Sequence, residues 1–117
     1  MLLIVLDTNV LVSGVMIAGS LPDRLLSHWE NKEFNLVTCI KAIAEVDDVL
    51  QRPHVAIKYR ITQAKRDRLI IPLEKQAIQV SGTKITGVVK DDPKDDMFVS
   101  CAVEGNAKYI VTSTNIC

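Results

Sequence analysis

The segment LLIVLDTNVLVSG, residues 2–14, contains the pattern from which the fold is predicted. Its first five residues are apolar and mostly branched, which is typical of a short buried strand. Asp7 follows directly, and either Asp7 or Thr8 can cap the helix that the apolar residues through Ile17 indicate. A buried strand that leads at once into a helix is typical of α/β proteins, whose sites lie at the carboxyl ends of the strands.

The rest of the chain continues this alternation of strands and helices. Strands are predicted at residues 34–38 and 108–112, with a short extended piece at 83–89. Further helices are predicted after Ser20, over residues 40–51, over 62–80 with a kink or an end at Pro72, and over 93–104 behind an Asp92 cap. This order predicts an α/β protein with a mainly parallel central sheet.

Composition limits the class of protein. The 117 residues fit one domain, residues 1–117, and 48% of them are hydrophobic, which is enough for a buried core. Lys and Arg number 14, as do Asp and Glu, so net charge neither favours nor opposes nucleic-acid binding. The odd count of cysteines and their wide spacing predict reduced thiols in a cytoplasmic protein. No apolar run approaches about 20 residues, so no membrane span is predicted.

Acidic residues are the strongest candidates for chemistry. Carboxylates at the edge of a parallel sheet suit Mg²⁺ or Mn²⁺, which bind oxygen ligands, bridge phosphates and activate water. The candidates are Asp7, an acid of the helix with Glu45, Asp47 and Asp48, and one of the aspartates at 91, 92, 95 and 96. Each has an ordinary alternative, because Asp7 can be only a helix cap and the others can face solvent.

On the predicted helix over 93–104, the aspartates fall at different positions around the helix axis. At about 100° per residue, Phe98, Val99, Cys101, Ala102 and Val103 form one apolar arc. The residue at 95 falls near the middle of that arc and the residue at 96 at its margin. A buried acid at a helix N-terminus needs a cation or hydrogen-bond donors. Position 95 is therefore the predicted ligand, whereas 92 is explained as a cap and 91 as a loop acid.

Three segments together resemble the PIN-domain ribonucleases, most closely their toxin-like bacterial and archaeal group. They are VLDTNVLVSG (5–14), FNLVTCIKAIAEVDDVLQRP (34–53) and DDPKDDMFVSCAVEGNAKYIVTS (91–113). The resemblance implies a three-layer α/β/α sandwich and metal-dependent cleavage of RNA. It also implies an antitoxin protein as partner and a homodimer.

Carried over by position, the resemblance assigns roles to individual residues. Asp7, Glu45 and Asp95 are the implied metal-binding and catalytic acids. Asn9 and Ser13 are implied auxiliary residues beside the first acid, and the group tends to carry an acid at Asp92 and Asp or Asn at Asp96.

One position departs from the family's pattern. A fourth acid usually follows the last matched strand, but this chain has Thr112, Ser113 and Thr114 there, so that a weaker hydroxyl ligand replaces a carboxylate. Family members usually continue through a further helix and an edge strand, so the C-terminal part is expected to be short. The departure keeps open an alternative function, a catalytically impaired module that binds RNA or protein. A phosphohydrolase on another α/β scaffold is a third, weaker alternative.

A basic cluster is the candidate RNA-binding surface. It consists of Lys58, Arg60, Lys65, Arg66 and Arg68, with Tyr59 as a stacking surface. The ordinary alternative is a solvated helix face whose cations pair with Asp and Glu elsewhere.

Overall fold

The computed structural model describes residues 2–82 and 93–112, with side chains in the second range from Met97 onward. Strands and helices alternate along this part of the chain. In order they are β1 (Leu3–Leu6), α1 (Thr8–Met16), α2 (Leu21–Glu30), β2 (Asn35–Cys39), α3 (Ile40–Gln51), α4 (Pro53–Ala56), α5 (Gln63–Lys75), β3 (Ile78–Val80), α6 (Pro93–Glu104) and β4 (Tyr109–Val111).

The four strands form one parallel sheet in the order β3-β2-β1-β4. The chain moves outward from β1 through β2 to β3, and then returns to the other side of β1 to form β4. The order of the strands therefore reverses between β1 and β4. In open parallel sheets a crevice opens at such a reversal, outside the carboxyl ends of the two strands.

Alternate residues of β1 pack into different layers, as the two-residue period of a strand requires. Ile4 and Leu6 belong to the core formed with α1, α3 and α5, whereas Val5 belongs to the core formed with α6. Helix α6 packs on β1, β2 and β4, and α3 packs on α1 and α5. The predicted α/β/α sandwich with a parallel sheet is confirmed.

Three helices begin at side-chain caps that the sequence signals. Oδ1 of Asp7 accepts a hydrogen bond from the amide of Val10 at 2.9 Å, so Asp7 rather than Thr8 caps α1. Ser20 caps α2 and Thr62 caps α5 in the same way, through the amides three residues later. Each cap satisfies an amide that has no partner within its helix.

The prediction of one helix over 62–80 was wrong at its end. Helix α5 includes Pro72 and stops at Lys75, and Ile78–Val80 then forms β3. Ile78 pairs with Val37, so the strand exists because the edge of β2 provides hydrogen-bonding partners for it. The extended piece predicted at 83–89 lies outside the described residues.

The boundaries of the other predicted elements are close to those observed. The strands predicted at 34–38 and 108–112 occupy Asn35–Cys39 and Tyr109–Val111, and α6 begins at Pro93 as predicted. Within the described ranges, no single helix is long and apolar enough to cross a membrane. Helices α1 and α2 pass that test only as a pair bent by 96°.

Candidate active site

Asp7 lies at the reversal of strand order. It follows the last residue of β1, and its amide donates a hydrogen bond to the carbonyl of Val111 in β4 at 3.2 Å. The residue is only 8% exposed, and the hydrogen bond from Val10 orients its carboxylate. One side chain thus caps α1 and also presents an oriented carboxylate at the crevice between β1 and β4.

Thr8 is a polar residue whose importance the sequence did not reveal. It is the first residue of α1, it is 8% exposed, and its Oγ1 has no hydrogen-bond partner among the described residues. A buried hydroxyl without a partner costs about 1–3 kcal/mol. Buried hydroxyls are usually satisfied, so this oxygen beside Asp7 is a donor or acceptor suited to a ligand. The DTN motif contains Thr8, but only the fold shows that its hydroxyl lacks a partner.

The two auxiliary residues of α1 differ in exposure. Asn9 is exposed in the first turn of the helix, whereas Ser13, one turn later, is buried. Residues four apart lie on the same face of a helix. Asn9 and Ser13 therefore follow one line along α1.

Helix α3 carries the second predicted acid. It begins at the carboxyl end of β2 and packs against α1, and Glu45 is half-buried beside the buried residue Val46. Glu45 lies five residues into α3, about 7.5 Å along its axis. The buried face of α3 includes Ile43, Val46 and Leu50.

The other two acids of α3 belong to ion pairs at the surface. Oδ1 of Asp47 lies 3.6 Å from Nε of Arg66, and Oδ2 of Asp48 lies 3.0 Å from Arg52. These pairs give Asp47 and Asp48 structural partners of their own, which is the ordinary alternative for acids on this helix.

Helix α6 begins on the carboxyl side of the sheet, because it leads back to the amino end of β4. The backbone at Asp95 and Asp96 lies in its first turn, one turn before Phe98. Phe98 and Cys101 are buried, but Val103 is 51% exposed, so the predicted apolar arc was too wide at that residue.

Several predicted site residues lie partly or wholly outside the described structure. The side chains of Asp95 and Asp96 are not described, nor are residues 83–92 and 113–117, which include Asp92 and Thr114. Thr112 is exposed at the end of β4, beside the end of β1. Among the described side chains, no group of three or more His, Cys, Asp or Glu residues could hold a metal ion.

The oxygen atoms that are described fit a hard divalent cation. Asp7 supplies an oriented carboxylate, and Thr8 supplies a hydroxyl without a partner. Mg²⁺ binds through one or two carboxylates while keeping several water molecules, which buried hydroxyls can hold by hydrogen bonds. The chemistry of these groups is therefore compatible with such an ion.

Within the described part of the chain, two of the five residues of the basic cluster are paired with acids. Arg66 lies near Asp47, as described above, and Nε of Arg68 lies 3.7 Å from Oε1 of Glu30. The ammonium of Lys58 lies 5.4 Å from the centre of the Tyr59 ring. Lys58, Arg60, Lys65 and Arg68 are exposed. The cluster is therefore partly the paired helix face of the ordinary alternative.

A groove of about 170 Å³ lies between α1, α2 and α5. Its lining includes Gly14, Trp29 and Leu69. It contacts the second half of α1, whereas Asp7 caps the beginning of that helix. Asp7 therefore lies at the strand ends and not in this groove.

Together, the parallel sheet, the two helical layers and the buried aspartate after β1 define an α/β protein with an acidic site at the reversal of strand order. The family profile described as PIN domain matches residues 3–115, and the chain belongs to this family. PIN domains are generally nucleases and typically use divalent metals. No curated protein and no solved structure matched the chain.

Proposed function

We propose that the protein is an endoribonuclease that depends on Mg²⁺ or Mn²⁺ and acts as the toxin of a toxin–antitoxin pair in the cytoplasm. The observation that carries this proposal is Asp7, a buried carboxylate oriented at the strand reversal of a PIN domain. RNA is the proposed substrate. The proposed partners are an antitoxin protein and a second copy of the chain.

Three acids would hold the metal, namely Asp7, Glu45 and Asp95. When bound, a divalent cation supplies polarisation of the phosphodiester and lowers the pKa of a water molecule. Asp7 would present one oxygen from a rigid position, because the amide of Val10 orients its carboxylate. Glu45 would approach from α3, which packs against α1.

Polar residues around these acids would position water and phosphate. Thr8 offers a buried hydroxyl that has no partner among the described residues and would hydrogen-bond a ligand. The further auxiliary residues are Asn9, Ser13, Asp92, Asp96, Thr112 and Thr114. Surface cations bind RNA chiefly through its phosphates, so Lys58, Arg60 and Lys65 would guide the RNA backbone. Arg66 and Arg68 would contribute after they leave their acidic partners.

Cleavage of single-stranded RNA in Mn²⁺, with a chelator as control, tests the proposal. Glu45→Gln and Asp95→Asn should each abolish metal-dependent cleavage. Asp48→Asn is a matched control on the same helix as Glu45, because Asp48 is exposed and pairs with Arg52. Cleavage that survives both Glu45→Gln and Asp95→Asn would contradict the assignment of the acids.

A second candidate function is binding without cleavage. Thr114 stands where the family usually has a fourth acid, which favours a PIN domain that holds RNA or protein. RNA binding without cleavage at any Mn²⁺ concentration would support it. If the missing carboxylate limits the reaction, Thr114→Asp should then produce or increase cleavage.

A further inference from the structure

Two buried thiols from distant parts of the sequence meet beside the sheet. Cys39 is the last residue of β2 and the N-cap of α3, and Cys101 lies in α6. Both are free and have no exposed surface. Both belong to the same buried core cluster, between the sheet and α6. The two cysteines are far apart in the sequence, which argued against a disulfide, but the fold brings them close together.

Gly82 confirms that the two sulfur atoms share one small space. A Cβ atom built on Gly82 would lie 2.7 Å from Sγ of Cys39 and 3.5 Å from Sγ of Cys101. Both sulfur atoms therefore border the same small space beside Gly82. A disulfide requires about 2.05 Å between sulfur atoms, so α6 and the end of β2 would approach each other when the bond forms.

The surroundings of Cys39 favour its thiolate. The hydrogen bond from Cys101 lowers the pKa of Cys39 from 9.0 to about 6, against the opposing effect of burial. Cys39 makes no capping hydrogen bond, but the nearby amides of Ala42 and Lys41 favour the thiolate further. Since the thiolate is the nucleophile in disulfide chemistry, one partner is activated and the second lies beside it.

Glu104 holds the covering segment, Ser81 and Gly82, which lies beside the sulfur atoms. Its carboxylate accepts hydrogen bonds from the hydroxyl of Ser81 and, at 2.8 Å, from the amide of Gly82. Gly82 has a φ of +71°, which glycine adopts readily, and it lies directly against Cys39. Loss of these two hydrogen bonds would allow the segment to move away and let a small oxidant enter.

We propose that Cys39 and Cys101 form a reversible disulfide that joins the β2–α3 junction to α6. With hydrogen peroxide as oxidant, the Cys39 thiolate attacks one oxygen and breaks the O–O bond, which gives a sulfenic acid and hydroxide. Cys101 then attacks the sulfenic sulfur, and the hydroxyl group leaves as water as the thiol loses its proton. In total, two thiols lose two electrons, and peroxide is reduced to two molecules of water. A dithiol reductant reverses the bond and becomes a disulfide itself.

Mass spectrometry of the purified full chain tests this proposal without any measurement of nuclease activity. Peroxide should lower the mass by about 2 Da, and a non-reducing digest should contain the peptides of Cys39 and Cys101 linked together. Dithiothreitol should restore both. Cys117→Ser is the matched control and should still form the bond, whereas Cys39→Ser and Cys101→Ser should not.

The rate of oxidation tests the role of the covering segment. Glu104→Gln should react several-fold faster than the wild type, because the hydrogen bonds to Ser81 and Gly82 are weakened. Since the linked peptide is sought in the wild type, the proposal does not depend on how well any variant folds. Oxidation that leaves the two thiols unlinked, or that links either one to Cys117, would overturn it.

Discussion

Replacing Asp7 separates its two roles, because asparagine can cap a helix but lacks the charge that binds a cation. Asp7→Asn retains an oxygen for the amide of Val10, and asparagine is as good an N-cap as aspartate. Asp7→Ala loses that hydrogen bond. We expect alanine to lower the free energy of unfolding by about 1 kcal/mol, and asparagine to change it by less than about 0.5 kcal/mol.

The expected changes in melting temperature follow from the length of the chain. An unfolding entropy of about 2.1 cal/mol/K per residue makes 1 kcal/mol equal to roughly 4 °C for 117 residues. Asp7→Ala should therefore melt about 4 °C below the wild type. Mn²⁺ at about 100 times its Kd should stabilise the wild type by about 2.7 kcal/mol and should stabilise neither variant.

Cleavage of RNA completes the test of Asp7. Loss of about 3 kcal/mol of transition-state stabilisation slows a reaction roughly 100-fold. Both variants should therefore cleave RNA at about 1% of the wild-type rate or less. Calorimetry with and without Mn²⁺, together with a cleavage assay, measures all three quantities. If Asp7→Asn keeps both the Mn²⁺ response and the cleavage rate, Asp7 is only a helix cap and the reasoning is refuted.

Three further predictions concern packing and thiol chemistry. Gly105→Ala would place a Cβ atom 2.5 Å from Cγ1 of the buried Val37. Urea unfolding should therefore show a free energy of unfolding that is lower by about 1–3 kcal/mol, and an unchanged midpoint would contradict this packing. Leu50→Ala should lower the free energy of unfolding by about 2–5 kcal/mol in the same measurement, because Leu50 has no exposed surface. A loss below about 1 kcal/mol would mean that the surrounding side chains collapse into the space. Cys101→Ala should raise the pKa of Cys39 from about 6, since burial remains when the hydrogen bond is lost, and ultraviolet absorbance of the thiolate measures this directly. In the wild type, the stabilisation that comes from this lowered pKa is fully present above the ordinary cysteine pKa of 9.0 and is lost as the pH falls through about 6. Cys101→Ala should therefore weaken this dependence of stability on pH.

The beginning of the chain shows how much local sequence determined. The strand before Asp7 and the first residue of α6 at Pro93 were predicted correctly, and the cap of α1 was narrowed to Asp7 or Thr8. Each depends on residues a few positions apart: an apolar run, a side chain that reaches the amide three residues later, or a proline in the first turn. Such signals act within one element, so the sequence alone contains them.

Other features depended on residues that are far apart in the sequence. Ile78–Val80 became a strand because β2 provided an edge, and Val103 was exposed because α6 covers the sheet with a narrower face than its periodicity suggested. The partners of Arg66 and Arg68 likewise came from other helices. Periodicity describes one helix or strand at a time and does not identify its neighbours.

For the candidate site, sequence and tertiary structure contributed different information. The sequence alone identified Asp7 as a candidate, because an acid directly after a buried strand suits metal chemistry, whereas only the resemblance to the family selected Glu45 among the three acids of its helix. Only the fold showed that Asp7 lies at the strand reversal, that the hydroxyl of Thr8 has no partner among the described residues, and that Cys39 and Cys101 share one buried space. Burial, hydrogen-bond satisfaction and contact between distant residues arise when the layers pack, so no local pattern in the sequence contains them.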